Sequence, residues 1–276
     1  SAVRFKTLHP KEFFRKFLER GIRPDGRELM EVRDTTMSAG SILSADGSAV
    51  TKVGRTTIAC GIKLEVGTPS ALKPKEGRIE ISVKIATLSS PLYIRKDLER
   101  NFNRDKSTDS MAVSIAETIR NSRMIDLEEL CIVEGQAVWV LYVDILCLDY
   151  SGNVLDASLL AAVGAIKSLK LPETNVKDDG EVVIVDGKPS SLSISRYPLP
   201  LSFGVMDEKH IVADPTAEEE ELLQGRLTIV YTNDGQLCLV EKPGGLPISK
   251  KKFSDCLDFA LKHTRTLIKR VDSINT

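Results

Sequence analysis

The chain holds 276 residues, 42% of them hydrophobic and 28% charged, with a formal net charge of −1. These are globular proportions, and they exclude a disordered chain, which would be poorer in core-forming residues and further from neutrality. No apolar run approaches the roughly 18 residues of a membrane span, and near-neutrality argues against nucleic-acid binding by bulk charge alone.

The predicted elements run as follows. Residues 10–20 form a short helix, with Pro10 at its first position and Phe13, Phe14, Phe17 and Leu18 on one face. Gly21 stops it, and Arg23-Pro24-Asp25-Gly26-Arg27 is turn chemistry. Residues 41–53 and 56–66 flank Gly54-Arg55 as a hairpin. Residues 78–88 alternate over Ile79, Ile81, Val83 and Ile85, a half-buried strand. A charged loop over 89–106 precedes a helix over 107–123. Residues 138–150 are nearly all apolar and predict a central buried strand, in which Asp144 is buried and Asp149 exposed. Ser151-Gly152-Asn153 turns the chain, and Asp156 is set to cap the next helix, which Pro172 follows.

The second half repeats the theme. Strands are expected at 181–185, 192–196, 199–206 and 210–213. Residues 225–232 and 236–241 flank Asn233-Asp234-Gly235 as a hairpin. A long amphipathic helix carries Phe253 to Val271. Strands then helices, twice over, predict an α+β architecture of two sheet-and-helix layers. The expected division is 1–27 (N-terminal helix and turn), 28–172 (first subdomain), 173–190 (linker) and 191–276 (second subdomain with the last helix).

Charge is uneven along this order. Residues 1–33 carry a net +4 and residues 242–276 a net +5, which leaves −10 between them. Solvated helix faces and partner surfaces both fit such ends. The Lys250-Lys251-Lys252 run reads more readily as a solubilising stretch. The five cysteines are odd in number with no CxxC pair, so neither a zinc nor a disulfide framework is expected. Residues 1–6 lack the apolar stretch of a signal peptide. Together these predict a reduced intracellular protein with no metal and no cofactor. There is no GxSxG elbow, no P-loop and no Rossmann glycine pattern after a strand.

Four segments in order resemble the RNase PH-type proteins. They are Arg23-Pro24-Asp25-Gly26-Arg27; Ala45-Asp46-Gly47-Ser48-Ala49 with Gly54-Arg55-Thr56-Thr57; Val138 to Ala157; and Asp214 to Glu220. The match spans about residues 22–265. The details look most like the non-catalytic ring subunits of the eukaryotic RNA exosome. The resemblance implies an RNase PH-like fold (ribosomal protein S5 domain 2-like) in a six-membered ring of such subunits. It implies S1/KH-type cap subunits and hydrolytic exosome nucleases as partners, and single-stranded RNA threaded through a channel. It also implies 3′-to-5′ RNA processing and degradation in nucleus, nucleolus and cytoplasm, with no membrane.

Active members cleave RNA with phosphate, so their site must offset several negative charges with guanidinium groups and aimed N–H donors. Where they resemble Asp-Gly-Gly-Thr-Arg, this chain has Ser151-Gly152-Asn153-Val154-Leu155, which lacks both hydroxyl and guanidinium. Asp156 follows and would repel phosphate. Their two aspartates six residues apart fall on Asp214 and Glu220. A turn at Asp214, with Glu218 to Glu221 on a solvated face or in a helix N-terminal turn, explains that stretch more simply. The expectation is therefore a degenerate phosphate site, a degenerate acidic pair and no catalytic residue. An active phosphorolytic exoribonuclease is the alternative, with an arginine supplied from elsewhere. A small-molecule enzyme of similar fold is the third possibility. For RNA contact the candidates are Arg95, Lys96, Arg100 and Arg104, with Tyr93 and Phe102 available for stacking. Asp97, Glu99 and Asp105 dilute that loop, and a solvated loop fits it as well.

Overall fold

The computed structural model describes residues 9–86, 104–177, 181–185 and 187–274, without the side chains of 104–107. Helix α1 (Pro10–Leu18) buries Phe14 and Leu18, one turn apart, against Met206 and Val212. After the turn at 23–27 come β1 (Thr35–Ala39), β2 (Gly47–Val53), β3 (Thr56–Gly67) and β4 (Arg78–Ile85). Helix α2 (Arg104–Ser122) leads through a short 3₁₀ turn to β5 (Cys131–Val133) and β6 (Ala137–Asp149). Helix α3 (Val154–Ser168) closes the first half.

The first sheet has the order β1-β2-β3-β6-β4, with β5 also beside β6. All its pairs are antiparallel except β4 with β6. The short strands β7 (Lys170–Leu171), β8 (Thr174–Val176), β9 (Val182–Ile184) and β10 (Ser190–Ser191) make two small ladders between the halves. The second sheet has the order β12-β11-β13-β14, from β11 (Pro198–Val205), β12 (Ile211–Ala213), β13 (Gly225–Thr232) and β14 (Leu237–Glu241), all antiparallel. The one-turn helix α4 (Ala217–Glu220) follows β12, and α5 (Lys250–Asp272) packs on β11, β13 and β1.

The layers are sheet, helices, sheet, helix. Helix α3 is the hinge of the packing, because it touches β2 and β3 on one side and β11 on the other. That is why it is apolar all round. Gly164 allows the close approach: a Cβ there would stand 2.9 Å from the Ala49 Cβ. Ser202, on the α3-facing side of β11, alternates with Leu201 and Phe203, which face α5. The α+β expectation therefore holds, with the two sheet-and-helix units stacked on a shared core.

Several local expectations need correction. Residues 192–196 form no strand; the ladder lies at Ser190–Ser191 instead. Residues 41–46 are loop, and β2 starts at Gly47. β1 was not foreseen. Only the first half of β6 is buried on both faces. Its second half alternates, leaving Leu146 and Leu148 at 39% and 46% exposure. Asp144 is consequently exposed, not buried, and Asp149 is half-buried. A run of apolar residues cannot tell a covered sheet face from an open one.

Candidate functional site

The two degenerate segments, 60 residues apart in sequence, meet in space. The turn after β6 lies directly on the segment joining β12 to α4. Gly152 has φ +90, and a Cβ there would fall 2.4 Å from the backbone of Thr216 and Ala217, so only glycine fits. The Ala217 N–H donates to the Ser151 carbonyl at 3.1 Å. Thr56, from the β2–β3 hairpin, donates to the Gly152 carbonyl at 2.7 Å and accepts from the Ser151 N–H.

Asn153 stands in the left-handed region at the N-cap of α3, with its N–H turned outward. With Gly152 it makes the concave run of N–H groups that attracts anions. Here the anion is the protein's own. The Glu220 carboxylate accepts the Asn153 N–H at 3.0 Å and the Tyr150 hydroxyl, and pairs with Arg226 at 3.2 Å. Its side chain is only 5% exposed. Val154 is buried and Leu155 packs against the core, so neither offers a polar atom to a ligand.

Asp214, also left-handed and fully buried, faces the same turn. Arg33 grips it bidentately, with Nε to Oδ2 and Nη2 to Oδ1 both at 2.7 Å. Arg27 Nη1 adds a contact at 3.2 Å, and Asn153 Nδ2 donates at 2.8 Å. Burial pushes the Asp214 carboxyl up, but Arg33 and Asn153 more than offset this and hold it below its ordinary value. Arg33 continues to the Ser151 and Gly152 carbonyls at 2.8 and 3.2 Å. Beside it Arg23, fully buried, forks onto Glu219 and donates to the Ala213 carbonyl at 2.7 Å. Glu219 in turn closes a capping box with Thr216.

Asp156 does not cap α3. It lies inside the first turn, and its carboxylate accepts the Ser202 N–H at 2.7 Å, the Ser202 hydroxyl at 2.6 Å and Asn153 Nδ2 at 2.8 Å. Complete burial raises its pKa to about 6.

Sequence reasoning placed Ser151 to Leu155, Asp214 and Glu220 together, and the structure does bring them together. It missed what fills the space between them. Glu219 and Glu220 are not on a solvated face; Glu218 and Glu221 are. Arg23 and Arg27 are more than turn residues, since both reach across to the second half. The available signal was weak: arginines flanking a Pro-Asp-Gly turn, whose partners in the second half lie 187 or more residues away. Arg95, Lys96 and Arg100, with Tyr93 and Phe102, lie outside the described residues, as does the side chain of Arg104. Among the described residues no group of three or more His, Cys, Asp or Glu could hold a metal, and no helix is long and apolar enough to cross a membrane. All five cysteines are unpaired.

Two sheet-and-helix halves, with acidic residues of the second set against a helix N-terminus of the first, are the arrangement of a two-domain exoribonuclease-type fold. The chain belongs to the 3′ exoribonuclease (RNase PH) family: domain 1 of that family matches residues 31–172 and domain 2 matches residues 196–263. It is 36% identical to the exosome complex component Rrp42 of Methanothermobacter thermautotrophicus over 254 residues, which cover 92% of this chain and 91% of that protein. It is 32% identical to the exosome complex component rrp43 of Schizosaccharomyces pombe, over 93% of each. Among solved structures it resembles a chain of the Archaeoglobus fulgidus exosome with RNA bound to the active site, at a TM-score of 0.80 and 28% identity, covering 94% of this chain and 96% of that one.

Proposed function

We propose that this chain is a non-catalytic structural subunit of the six-membered RNase PH-like ring of the RNA exosome, of the lineage closest to exosome component eight. It supports 3′-to-5′ RNA processing and degradation by holding its neighbours and lining part of the RNA path. One observation carries this reading: the Glu220 carboxylate occupies the N–H donor that a phosphate would need at the start of α3, while Leu155 stands at the guanidinium position. A carboxylate held by a backbone N–H, a tyrosine hydroxyl and an arginine repels an incoming phosphate rather than admitting it. Arg23 and Arg33 are likewise engaged with the protein's own carboxylates and carbonyls, as is Arg27 through Nε and Nη1 with only Nη2 unbonded, so they tie the two halves together.

The names of the relatives support the ring as the setting. The partners in this reading are other RNase PH-like subunits, S1/KH-type cap subunits, hydrolytic exosome nucleases and RNA in the channel. Nucleus, nucleolus and cytoplasm are the proposed locations, and 28–172 and 191–276 the proposed subdomains, joined by 173–190.

The test is incubation of the purified chain with single-stranded RNA, Mg²⁺ and inorganic phosphate. No nucleoside diphosphate is expected. Its release, with contaminating nuclease excluded, would establish the active phosphorolytic alternative instead. In parallel, purification from its own cells should recover several distinct RNase PH-like chains with it, and a homohexamer would count against the reading.

A further inference from the structure

Helix α5 carries a feature that the ring scaffold does not require. Its exposed C-terminal half presents Lys262, Arg265, Lys269 and Arg270, with no carboxylate between residues 262 and 270. None of these four cations has an ion pair among the described residues. Of the acids that flank the stripe on this helix, Asp272 is taken by Lys167 and Tyr197, and Asp258 stands one turn before Lys262. Lys262, Arg265 and Lys269 recur about once per turn, so their charges line a stripe of roughly 10 Å. Net repulsion along such a stripe is a cost that an anionic strand would relieve.

A cavity of about 310 Å³ opens beside the stripe, between α5 and residues 30–35. Its walls include Phe259, Met30, Val32 and Leu267, and its polar groups include His263 and Thr266. Arg270 lines the cavity, about 100° round the helix from Lys269 and so beside the stripe. Burial lowers the His263 pKa against the pull of Asp214, so the ring is uncharged at neutral pH and acts as a flat hydrogen-bonding surface. The two carboxylates of this wall, Glu31 and Asp34, are exposed and away from the stripe on the opposite segment. A cavity of mixed lining that holds an aromatic ring and an imidazole, next to evenly spaced cations, offers the two components of sequence-tolerant single-strand binding: stacking and backbone neutralisation.

We propose that this face of α5 binds single-stranded RNA, with phosphates along Lys262, Arg265, Lys269 and Arg270 and one base in the cavity against Phe259 and His263. It rests on the ring reading only in naming RNA rather than an acidic protein segment as the anion. The cavity favours RNA, because every nucleotide carries a flat base to place there, whereas an acidic peptide does so only where it has an aromatic residue.

The experiment uses the full chain, alone and with its co-purified neighbours. A fluorescently labelled oligouridylate is titrated at several salt concentrations and read by anisotropy. The triple variant Lys262→Glu/Arg265→Glu/Lys269→Glu should weaken binding roughly tenfold or more at low salt. It should also reduce the log–log salt slope by about 2, as expected for three lost phosphate contacts. Phe259→Leu, which keeps the core apolar, should weaken binding with the slope unchanged. A control reversal of exposed cations elsewhere, Lys11→Glu/Lys250→Glu/Lys251→Glu, should leave the affinity within about twofold. Loss equal to the control, or polyglutamate displacing the RNA from the wild-type chain while Phe259→Leu has no effect, would overturn the proposal. Co-purification of neighbours with the triple variant keeps the ring reading intact in either case.

Discussion

At the scale of single residues, the molecule is decided by which carboxylates are compensated. Asp214 and Glu219 each face a guanidinium fork, whereas Asp156 is held by uncharged donors alone. This difference has a pH consequence. The folded pKa of Asp156, about 6, lies above the ordinary carboxylate value. The folded state therefore binds the proton more tightly than the unfolded chain. Stability from this group is greatest below about pH 4 and falls as pH rises to about 6, by on the order of 2–3 kcal/mol. Asp156→Asn satisfies the same partners: its carbonyl can accept from Asn153 and the Ser202 N–H while its amide donates to the Ser202 hydroxyl. Urea unfolding at pH 4, 5, 6 and 7 should show the variant at least as stable as the parent at pH 7, with that slope removed. Loss of stability at pH 7 would show that the charge is needed there. Asp214 behaves oppositely: its depressed pKa stabilises the fold above about pH 4, and that contribution is lost as pH falls further.

Among the elements, α3 carries the greatest packing demand. It is the only helix whose twelve buried residues span nearly its whole length among the described residues, and the Gly164 contact with Ala49 leaves no slack. Gly164→Val should overpack this layer and cost about 1–3 kcal/mol, read as a lowered midpoint in chemical denaturation with little change in slope. The elements also show how far the sequence could be read. Period-2 alternation located β4, and Asn233-Asp234-Gly235 located the β13–β14 hairpin, because both signals are local. The 192–196 stretch alternates too, yet it stays out of the ladders, because alternation states which residues can face a core and not whether a partner strand lies alongside. β6 read as buried throughout because apolar composition is blind to the open face beside Leu146 and Leu148.

For the molecule as a whole, the arginines of the first 33 residues tie the two halves. Arg23, Arg27 and Arg33 all precede β1, yet their acceptors lie on the 213–219 segment and the 151–152 turn. Removing Arg33 leaves the buried Asp214 carboxylate with only the 3.2 Å contact of Arg27 as counter-charge, a loss of up to about 3–5 kcal/mol. Arg33→Ala should therefore lower the unfolding midpoint of both halves together, monitored by Trp139 fluorescence for the first half and near-ultraviolet dichroism of Tyr231 and Phe203 for the second. Coincident curves with an unchanged midpoint would show that the ion cluster is dispensable.

Length, composition and near-neutral charge, by themselves, determined that this is a globular chain with no apolar membrane span. The order of its strand and helix patterns determined two α+β units, and the replacement of threonine and arginine by Val154 and Leu155 is visible in one dimension. These properties depend on local periodicity and residue identity, which a sequence states directly. Only the tertiary structure decided that Glu220 sits on the α3 N-terminus, that Asp214 is neutralised by Arg33, and that the cations of α5 border a cavity holding Phe259 and His263. Each of those depends on groups 60 or more residues apart being desolvated together or placed side by side. No local pattern encodes that, because the electrostatic balance of a buried charge is set by whichever partners the fold delivers.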